Sequence, residues 1–301
     1  ADVYVINTCA VTAKSERHSR QMIRRAVQAA PGATVVATGC CAQINPQSLA
    51  RIPGVDFVLG TGEKDRILDF LGEPRLNGKP LVAVSPRQDL NRFQGGDISS
   101  FGRYTRAFIK IQDGCDHFCS YCVVPLARGP SRSREPASVI SQARRLVDLG
   151  YQEIVLTGVH LGTYGQDLEG KVNLVDILEA LEAIEGLRRI RLSSIEPTEV
   201  SPELIDFLAS SRRVCRHLHL PLQSGDDRIL ARMNRPYRAA QYRDLILTLT
   251  ERVPGIGIGA DVMVGFPGED EESFRRSYAF IENLPLYYPV SYTHLTLPTK
   301  A

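Results

Sequence analysis

Strand-like and helical segments alternate from residue 104 to residue 283, and this alternation restricts the possible folds more than any other feature. The predicted strands are short apolar or β-branched runs at 107–112, 153–159, 189–195, 217–222 and 257–264. Apolar residues at helical spacing fill the intervals, near 136–149, 173–185, 201–210, 226–234, 238–252 and 270–283. Consecutive βα units favour a parallel sheet, so the sequence predicts a partial TIM-like βα barrel, with a doubly wound sheet as the competing topology.

The first 71 residues repeat the alternation on a smaller scale. Strands are predicted at 3–8, 34–40 and 57–60, and helices at 12–30, 46–51 and 63–71. The first helix has a basic face, formed by Lys14, Arg17, Arg20, Arg24 and Arg25. Because these strands are apolar along their whole length, we expect a small parallel α/β domain with both sheet faces covered. Residues 72–103 are rich in Gly, Pro and polar residues, which indicates a linker with one short strand at 81–84.

Composition excludes several classes of protein. The chain has 301 residues, 43% of them hydrophobic, and a formal charge of +2, so neither a disordered nor a fibrous protein is expected. No stretch approaches the roughly 20 apolar residues of a membrane helix, and no signal peptide opens the sequence. The chain has seven cysteines, an odd number. We therefore expect a cytoplasmic protein, with no membrane span, whose thiols serve metal binding or catalysis.

Three cysteines lie within eight residues, directly after the first predicted barrel strand. They follow the spacing Cys115-x3-Cys119-x2-Cys122, with His117 inside the loop. A structural zinc site needs four ligands, and no second pair of cysteines follows, although His117 offers a fourth donor. An iron–sulfur cluster accepts three protein ligands when another molecule occupies the fourth iron. The spacing favours a cluster over zinc or buried structural thiols.

The segment DGCDHFCSYCVVP resembles the cluster loop of radical S-adenosylmethionine (radical SAM) enzymes. The resemblance implies a [4Fe–4S] cluster on Cys115, Cys119 and Cys122, with S-adenosylmethionine on the fourth iron. Reductive cleavage of the sulfonium would then give a 5′-deoxyadenosyl radical. It also implies a full or partial βα barrel, in agreement with the strand pattern.

Further segments resemble the methylthiotransferase family within that superfamily. They are NTCAVT, GCCAQ, ARGPSRSR, LTGVHLGTYG, RLSSIEP, HLHLPLQSG and DVMVGFPGE. The resemblance covers about residues 1–288 and is greatest for the branch that acts on N6-threonylcarbamoyladenosine beside the tRNA anticodon. It implies transfer of a methylthio group to C2 of that base. The alternatives are the branches acting on isopentenyladenosine tRNA or a ribosomal protein and, in another class, a non-catalytic zinc or RNA-binding module.

The family resemblance also implies a second, auxiliary [4Fe–4S] cluster on three cysteines. Two have counterparts here, Cys9 and Cys40, whereas Cys41 is expected to be a neighbour and not a ligand. The third belongs to a Gly-Cys motif upstream of residue 1, so we expect this chain to hold the auxiliary cluster weakly or not at all. Expected partners are tRNA and a reducing electron donor such as flavodoxin or ferredoxin, with the sulfur source unidentified.

Residues outside the cysteines have weaker predicted roles. The resemblance implies that Tyr121, Gly158 and His160 contact S-adenosylmethionine. Three residues that end or line later strands are expected to contact ribose or substrate: Glu196, Gln223 and Asp261. Beside a tRNA site, three arginines after the loop are predicted to contact phosphate: Arg128, Arg132 and Arg134. Tyr121 as loop packing and Asp261 as a buried structural carboxylate are the competing interpretations.

The sequence divides into four predicted parts. They are an amino-terminal domain at 1–71, truncated at its start, a linker at 72–103, a radical SAM domain at 104–289, truncated before or in its sixth strand, and a tail at 290–301. Residues 290–299 match one reading frame of a common transposase library adapter. The tail is therefore expected to be adapter-derived, and the true sequence after residue 289 is unknown.

Overall fold

The computed structural model describes residues 1–72, 79–102 and 104–292. Among these residues, contacts define two compact units: residues 1–96 with 114–130 form the first, and residues 97–113 with 131–292 form the second. The cysteine loop thus groups with the amino-terminal residues, although it follows the first barrel strand in sequence. The domain limits predicted at residues 71, 103 and 289 stay predictions.

The first unit is built on a four-stranded parallel sheet of order β1-β2-β3-β4. Its strands are β1 (Val3–Thr8), β2 (Thr34–Gly39), β3 (Phe57–Leu59) and β4 (Leu81–Ala83). Its helices are α1 (Ala13–Ala29), α2 (Cys40–Ile44), α3 (Pro46–Ala50), α4 (Ile67–Leu71) and α5 (Val124–Arg128), with 3-10 turns at Lys64–Arg66 and Arg87–Asp89. The parallel sheet, its three predicted strands and the short strand in the linker are confirmed.

Helix α1 begins and packs as its sequence predicts. The Thr12 hydroxyl accepts a hydrogen bond from the Ser15 amide at 3.0 Å, which caps the first turn. Ser19, Ile23 and Ala26 form the buried stripe of the helix. Their spacing of three and four residues places them on one face, so the opposite face of α1 points to solvent.

The second unit contains six parallel strands with helices between them. The parallel strands are β5 (Ala107–Lys110), β8 (Glu153–Thr157), β9 (Arg189–Leu192), β10 (His217–His219), β11 (Gly257–Met263) and β12 (Tyr288–Tyr292). Two further short strands, β6 (Gln112–Asp113) and β7 (Arg132–Ser133), pair with each other. Helices are α6 (Pro136–Asp148), α7 (Leu174–Glu182), α8 (Pro202–Ser210), α9 (Asp227–Arg232), α10 (Ala239–Arg252) and α11 (Glu271–Glu282), with 3-10 turns at Leu161–Thr163 and Pro197–Glu199. The parallel strands form two sheets, β5-β8-β9 and β10-β11-β12, joined by a parallel bridge between Ile190 and Val214. This is the expected partial βα barrel.

The core of the second unit lies between the strands and the helices that cover them. Strand residues Ile109, Ile154 and Leu156 are at most 1% exposed and pack with the buried faces of the helices. Two fully buried helix residues, Leu146 and Leu178, belong to the same cluster. Burial of this apolar surface is the main source of stability of the barrel.

Strands β6 and β7 form a short antiparallel ribbon that the sequence did not predict. The predicted strand at 107–112 ends at Lys110, and Gln112 and Asp113 pair instead with Ser133 and Arg132. This pairing joins the two ends of the cysteine loop at a narrow neck. Helices α2 and α5 were also unexpected; each has only five residues, too short for a clear apolar period.

No helix in the described ranges is both long and apolar enough to cross a membrane. Strand β12 includes residues 290–292 of the predicted adapter-derived tail and pairs with β11. Residues 293–301 of that tail lie outside the described residues.

Candidate cluster and cofactor site

The cysteine loop of the first unit is held by its own backbone. The Cys115 amide donates to the Gly129 carbonyl at 3.1 Å, and the Cys122 amide donates to the Cys119 carbonyl at 2.9 Å. The His117 amide donates to Cys115 Sγ at 3.3 Å. Cys119 is buried, Cys115 and Cys122 are half-buried, and none of the three forms a disulfide. The fold therefore buries one of the three cysteines and leaves the other two partly accessible.

This donor set fits a [4Fe–4S] cluster. Three thiols from one short loop satisfy three irons and leave the fourth for a small molecule. Cys115, Cys119 and Cys122 would be the ligands.

Arg87 and Thr61 attach the cysteine loop to the rest of the first unit. Arg87 Nε donates to the Pro125 carbonyl at 3.0 Å, and its guanidinium carbon lies 5.0 Å from the centre of the Phe118 ring. Thr61 Oγ1 donates to the Ala127 carbonyl at 2.9 Å. Arg87 lies in the predicted linker and is the first residue of the 3-10 turn Arg87–Asp89. The sequence analysis did not single it out.

Cys9 and Cys40 follow the carboxyl ends of two paired strands. In the parallel register of β1 and β2, Thr8 faces Gly39, so the residues that follow them start from neighbouring positions. The Cys9 amide donates to Ser19 Oγ at 3.1 Å, and Cys9 lines a cavity of about 490 Å³. The strand ends thus bring together the two cysteines predicted for the auxiliary cluster. Their assignment as two of the three auxiliary ligands that the resemblance implies stays a prediction.

Helix α2, which begins at Cys40, packs against α5, which begins two residues after Cys122. The first unit therefore joins the segments that carry the two predicted cluster sites. Cys41 does not fit the role of a cluster ligand, because it is 1% exposed and packs in the core of the unit. Burial, followed by the charge of Glu16, raises its pKa to about 11, so it is a neutral thiol at physiological pH.

Gly39 provides a test of the geometry between Cys9 and Cys40. It has a φ of 98°, and a Cβ there would lie 2.4 Å from the Thr8 carbonyl oxygen. We expect Gly39→Ala to lower the free energy of unfolding of this unit by about 2 kcal/mol or more, as measured by urea denaturation. Gly32→Ala is the matched control, because its Cβ meets nothing within 4 Å. Equal stability of the two variants would contradict the expectation.

Within the second unit, Gln112 of β6 contacts both Ser131, beside β7, and the segment that follows β8. Its Oε1 accepts from the His160 amide at 2.7 Å, and its Nε2 donates to Ser131 Oγ at 2.9 Å. A Cβ on Gly158 would lie 3.0 Å from Gln112 Oε1, so glycine permits this approach. The His160 ring is buried, and its Nε2 is in contact with the Glu199 carboxylate. The sequence analysis singled out Gly158 and His160 but missed Gln112 and Glu199.

A buried arginine connects two other strand ends of the second unit. Arg235 donates to the carboxylate of Glu196, and its guanidinium carbon lies 5.0 Å from the centre of the Tyr237 ring. The Tyr237 hydroxyl donates to the Leu222 carbonyl at 2.8 Å, beside Gln223. Arg235 was not predicted, since it follows α9 in a polar turn and only the fold shows that its side chain is 2% exposed.

Gln223 and Asp261 lie next to each other. The Gln223 amide donates to the Asp261 carbonyl at 2.7 Å, and Gln223 has a φ of 67°, uncommon for a residue other than glycine. The Asp261 carboxylate lies 3.0 Å from His219 Nε2 and is 22% exposed. Both predicted residues are thus at one end of the barrel, and Asp261 has a polar partner.

The remaining predicted residues differ in exposure. Tyr121 and Arg128 are half-buried in the cysteine loop. Arg132 is buried with its guanidinium 3.4 Å from Asp113, and Arg134 is buried in an ion pair with Asp97. Burial also lowers the pKa of Arg134. Their predicted phosphate contacts stay predictions, which the burial of Arg132 and Arg134 does not favour.

The chain resembles known families over both units. The Radical SAM superfamily matches residues 109–281, and the uncharacterized protein family UPF0004 matches residues 1–60. A solved structure of the radical S-adenosylmethionine methyltransferase TsrM from Kitasatospora setae has a TM-score of 0.71 at 18% identity, covering 97% of this chain and 62% of that one. This likeness concerns the fold.

Two similar relatives bear the name threonylcarbamoyladenosine tRNA methylthiotransferase MtaB. That of Bacillus subtilis is 44% identical over 94% of this chain and 62% of its own length; that of Aquifex aeolicus is 41% identical over 100% and 73%. The chain thus spans less than two thirds of the first relative. It belongs to the radical SAM superfamily and, within it, to the MtaB methylthiotransferase family. Enzymes of this superfamily use a [4Fe–4S] cluster and S-adenosylmethionine, and the MtaB family has an auxiliary cluster in addition.

Proposed function

We propose that this chain forms the catalytic part of a methylthiotransferase that modifies C2 of N6-threonylcarbamoyladenosine in tRNA. The observation that carries the proposal is the packing of α2 on α5, which joins the segments of the two predicted cluster sites in one unit. Transfer of a sulfur-containing group to a carbon needs both a sulfur-bearing site and a site that activates the C–H bond. The substrate named for the relatives supports the choice of base.

The cofactors supply the difficult chemistry. When bound, a [4Fe–4S] cluster and S-adenosylmethionine provide the one-electron reduction and hydrogen abstraction that an unactivated C–H bond requires. Cys115, Cys119 and Cys122 would hold one cluster, and Cys9 and Cys40 would contribute to the second. Arg87 and Thr61 fix the loop through the carbonyls of α5. These bonds hold the segment that follows Cys122 in place.

Residues of the second unit are proposed to bind S-adenosylmethionine and the base. Gly158 and His160 follow the end of β8, while Glu196, Gln223 and Asp261 lie at or after later strands, where ligands of βα barrels bind. Tyr121 is proposed to contact the adenine of S-adenosylmethionine. Residues 1–71, 72–103 and 104–289 remain the proposed domains. We further propose a flavodoxin or ferredoxin as electron donor and, given seven free cysteines, a cytoplasmic location.

The test is nucleoside mass spectrometry of tRNA from a host that lacks the activity. Expression of the gene that encodes this chain is expected to produce the 2-methylthio derivative of threonylcarbamoyladenosine. The Cys119→Ser variant is the matched control and should leave the base unmodified. Methylthio addition to isopentenyladenosine, or to a ribosomal protein, would contradict the proposed substrate; no methylthio product at all would contradict the proposed reaction.

A further inference from the structure

Helix α1 carries a row of cations on its solvent face. Lys14, Arg17, Arg24 and Arg25 are all exposed, and we call these four residues the α1 basic row. They lie opposite the buried stripe of the helix. At 1.5 Å per residue the row extends about 16 Å along the helix. Gln21 and Gln28 lie on the same face, so the whole face is polar.

The α1 basic row has no internal neutralisation. The helix contains one acidic residue, Glu16, and this carboxylate pairs with Arg20, outside the row. In the described part of the chain, no carboxylate lies within ion-pair distance of the four cations. Lys14 also lies in the first helical turn, where the helix dipole disfavours a positive charge. The arrangement is thus unfavourable for the isolated protein, and an anionic partner would relieve it.

The α1 basic row lies close to Cys9, one of the two cysteines proposed for the sulfur-bearing site. Helix α1 begins four residues after Cys9, and Lys14 lines the same cavity as Cys9. The sulfur-bearing site proposed at Cys9 and Cys40 must lie close to the RNA base that receives the methylthio group. An RNA chain that reaches this site would pass near α1.

We propose that the α1 basic row binds the phosphate backbone of the substrate tRNA; this inference rests on the proposed function. Three of the four cations are arginines, whose planar guanidinium groups match phosphate oxygens in pairs. The four side chains carry the same charge and lie opposite the buried stripe, so charge complementarity favours a phosphate backbone as the occupant. Contacts of this kind position the RNA and carry no sequence information.

The test compares two variants with the same change of charge. One replaces the row by Gln (Lys14→Gln, Arg17→Gln, Arg24→Gln, Arg25→Gln); the control replaces four exposed arginines of the second unit (Arg188→Gln, Arg212→Gln, Arg216→Gln, Arg275→Gln). Fluorescence anisotropy measures the Kd for threonylcarbamoyladenosine-containing tRNA as a function of salt. We expect the row variant to bind about tenfold or more weakly, with a slope of log K against log salt smaller by about 3 to 4. The control should change Kd by about twofold or less.

Helix content and Tm show whether the row variant remains folded. Because Gln is a good helix former and the four side chains are exposed, we expect a Tm equal to or above that of the parent chain. Equal tRNA binding by the row variant and the parent would overturn the inference while leaving the proposed function intact. An equal loss in the control variant would also overturn it, since net charge alone would then be responsible.

Two other outcomes separate the partners. If the row variant binds tRNA normally but accepts electrons more slowly from an acidic flavodoxin, the row is a protein-docking surface and the inference is wrong. If the parent chain binds no tRNA, the proposed function fails together with the inference. These results differ from a failure of the row alone, in which the parent and the row variant bind tRNA equally.

Discussion

The Cys119→Ser substitution is expected to lower the iron content after anaerobic reconstitution by about four atoms per chain. It is also expected to eliminate reductive cleavage of S-adenosylmethionine. Cys119 is the buried member of the three loop thiols, and its carbonyl accepts the Cys122 amide, so its sulfur has a fixed position. Serine keeps the size of the side chain but is a far weaker ligand for iron. Iron analysis, electron paramagnetic resonance and detection of 5′-deoxyadenosine measure the effect.

Cys215→Ser is the matched control for this experiment. Cys215 is also a free thiol, half-buried, but it lies in the second unit between α8 and β10. Burial raises the pKa of Cys215 above its ordinary value, so it is a neutral thiol at physiological pH. The control should retain the iron content of the parent. Full iron content in the Cys119→Ser variant would exclude the loop as a cluster site.

Replacement of Arg235 by Met is expected to destabilise the second unit by about 3 to 5 kcal/mol. The guanidinium side chain is 2% exposed and pairs with Glu196, which is 19% exposed. Met fills much of the volume but leaves the Glu196 carboxylate without its counter-charge in a poorly solvated position. Urea denaturation followed by circular dichroism measures the free energy of unfolding.

The double variant Glu196→Gln/Arg235→Met separates charge from packing. Because no uncompensated carboxylate remains, it should recover at least half of the loss. Arg275→Gln serves as the exposed control: Arg275 pairs with Glu271 on the surface of α11, and its loss should change stability by about 0.5 kcal/mol or less. A double variant no more stable than Arg235→Met would show that packing, and not the ion pair, is responsible.

Local patterns in the sequence predicted most of the fold. Helix α1 was expected at 12–30 and extends from Ala13 to Ala29, because a period of 3.6 residues is a local signal. The parallel strands were predicted because residues buried on both faces are apolar without alternation. The cysteine spacing was equally readable, since all three ligands lie on one short loop.

Other features depend on residues far apart in the chain. Gln112 bonds to Ser131 and His160, 19 and 48 positions away, and no pattern around Gln112 indicates either contact. The predicted strand at 107–112 was too long because its end turns to pair with β7. The burial of Arg132 beside Asp113, 19 positions away, was likewise not indicated by the local sequence, and its predicted phosphate contact stays a prediction.

The sequence by itself determined the class of fold, the family, and the three thiols of the cysteine loop. The fold class depends on periodicity and the thiol loop on spacing, which short-range backbone geometry converts directly into structure, whereas the family was indicated by the resemblance of whole segments. Only the tertiary structure decided that the loop packs with the amino-terminal residues, through Arg87, Thr61 and the contact of α2 with α5. It also decided which arginines are buried with carboxylates and which remain exposed on α1. Burial and pairing are properties of the packed chain, because they depend on which distant segments exclude water from each charge.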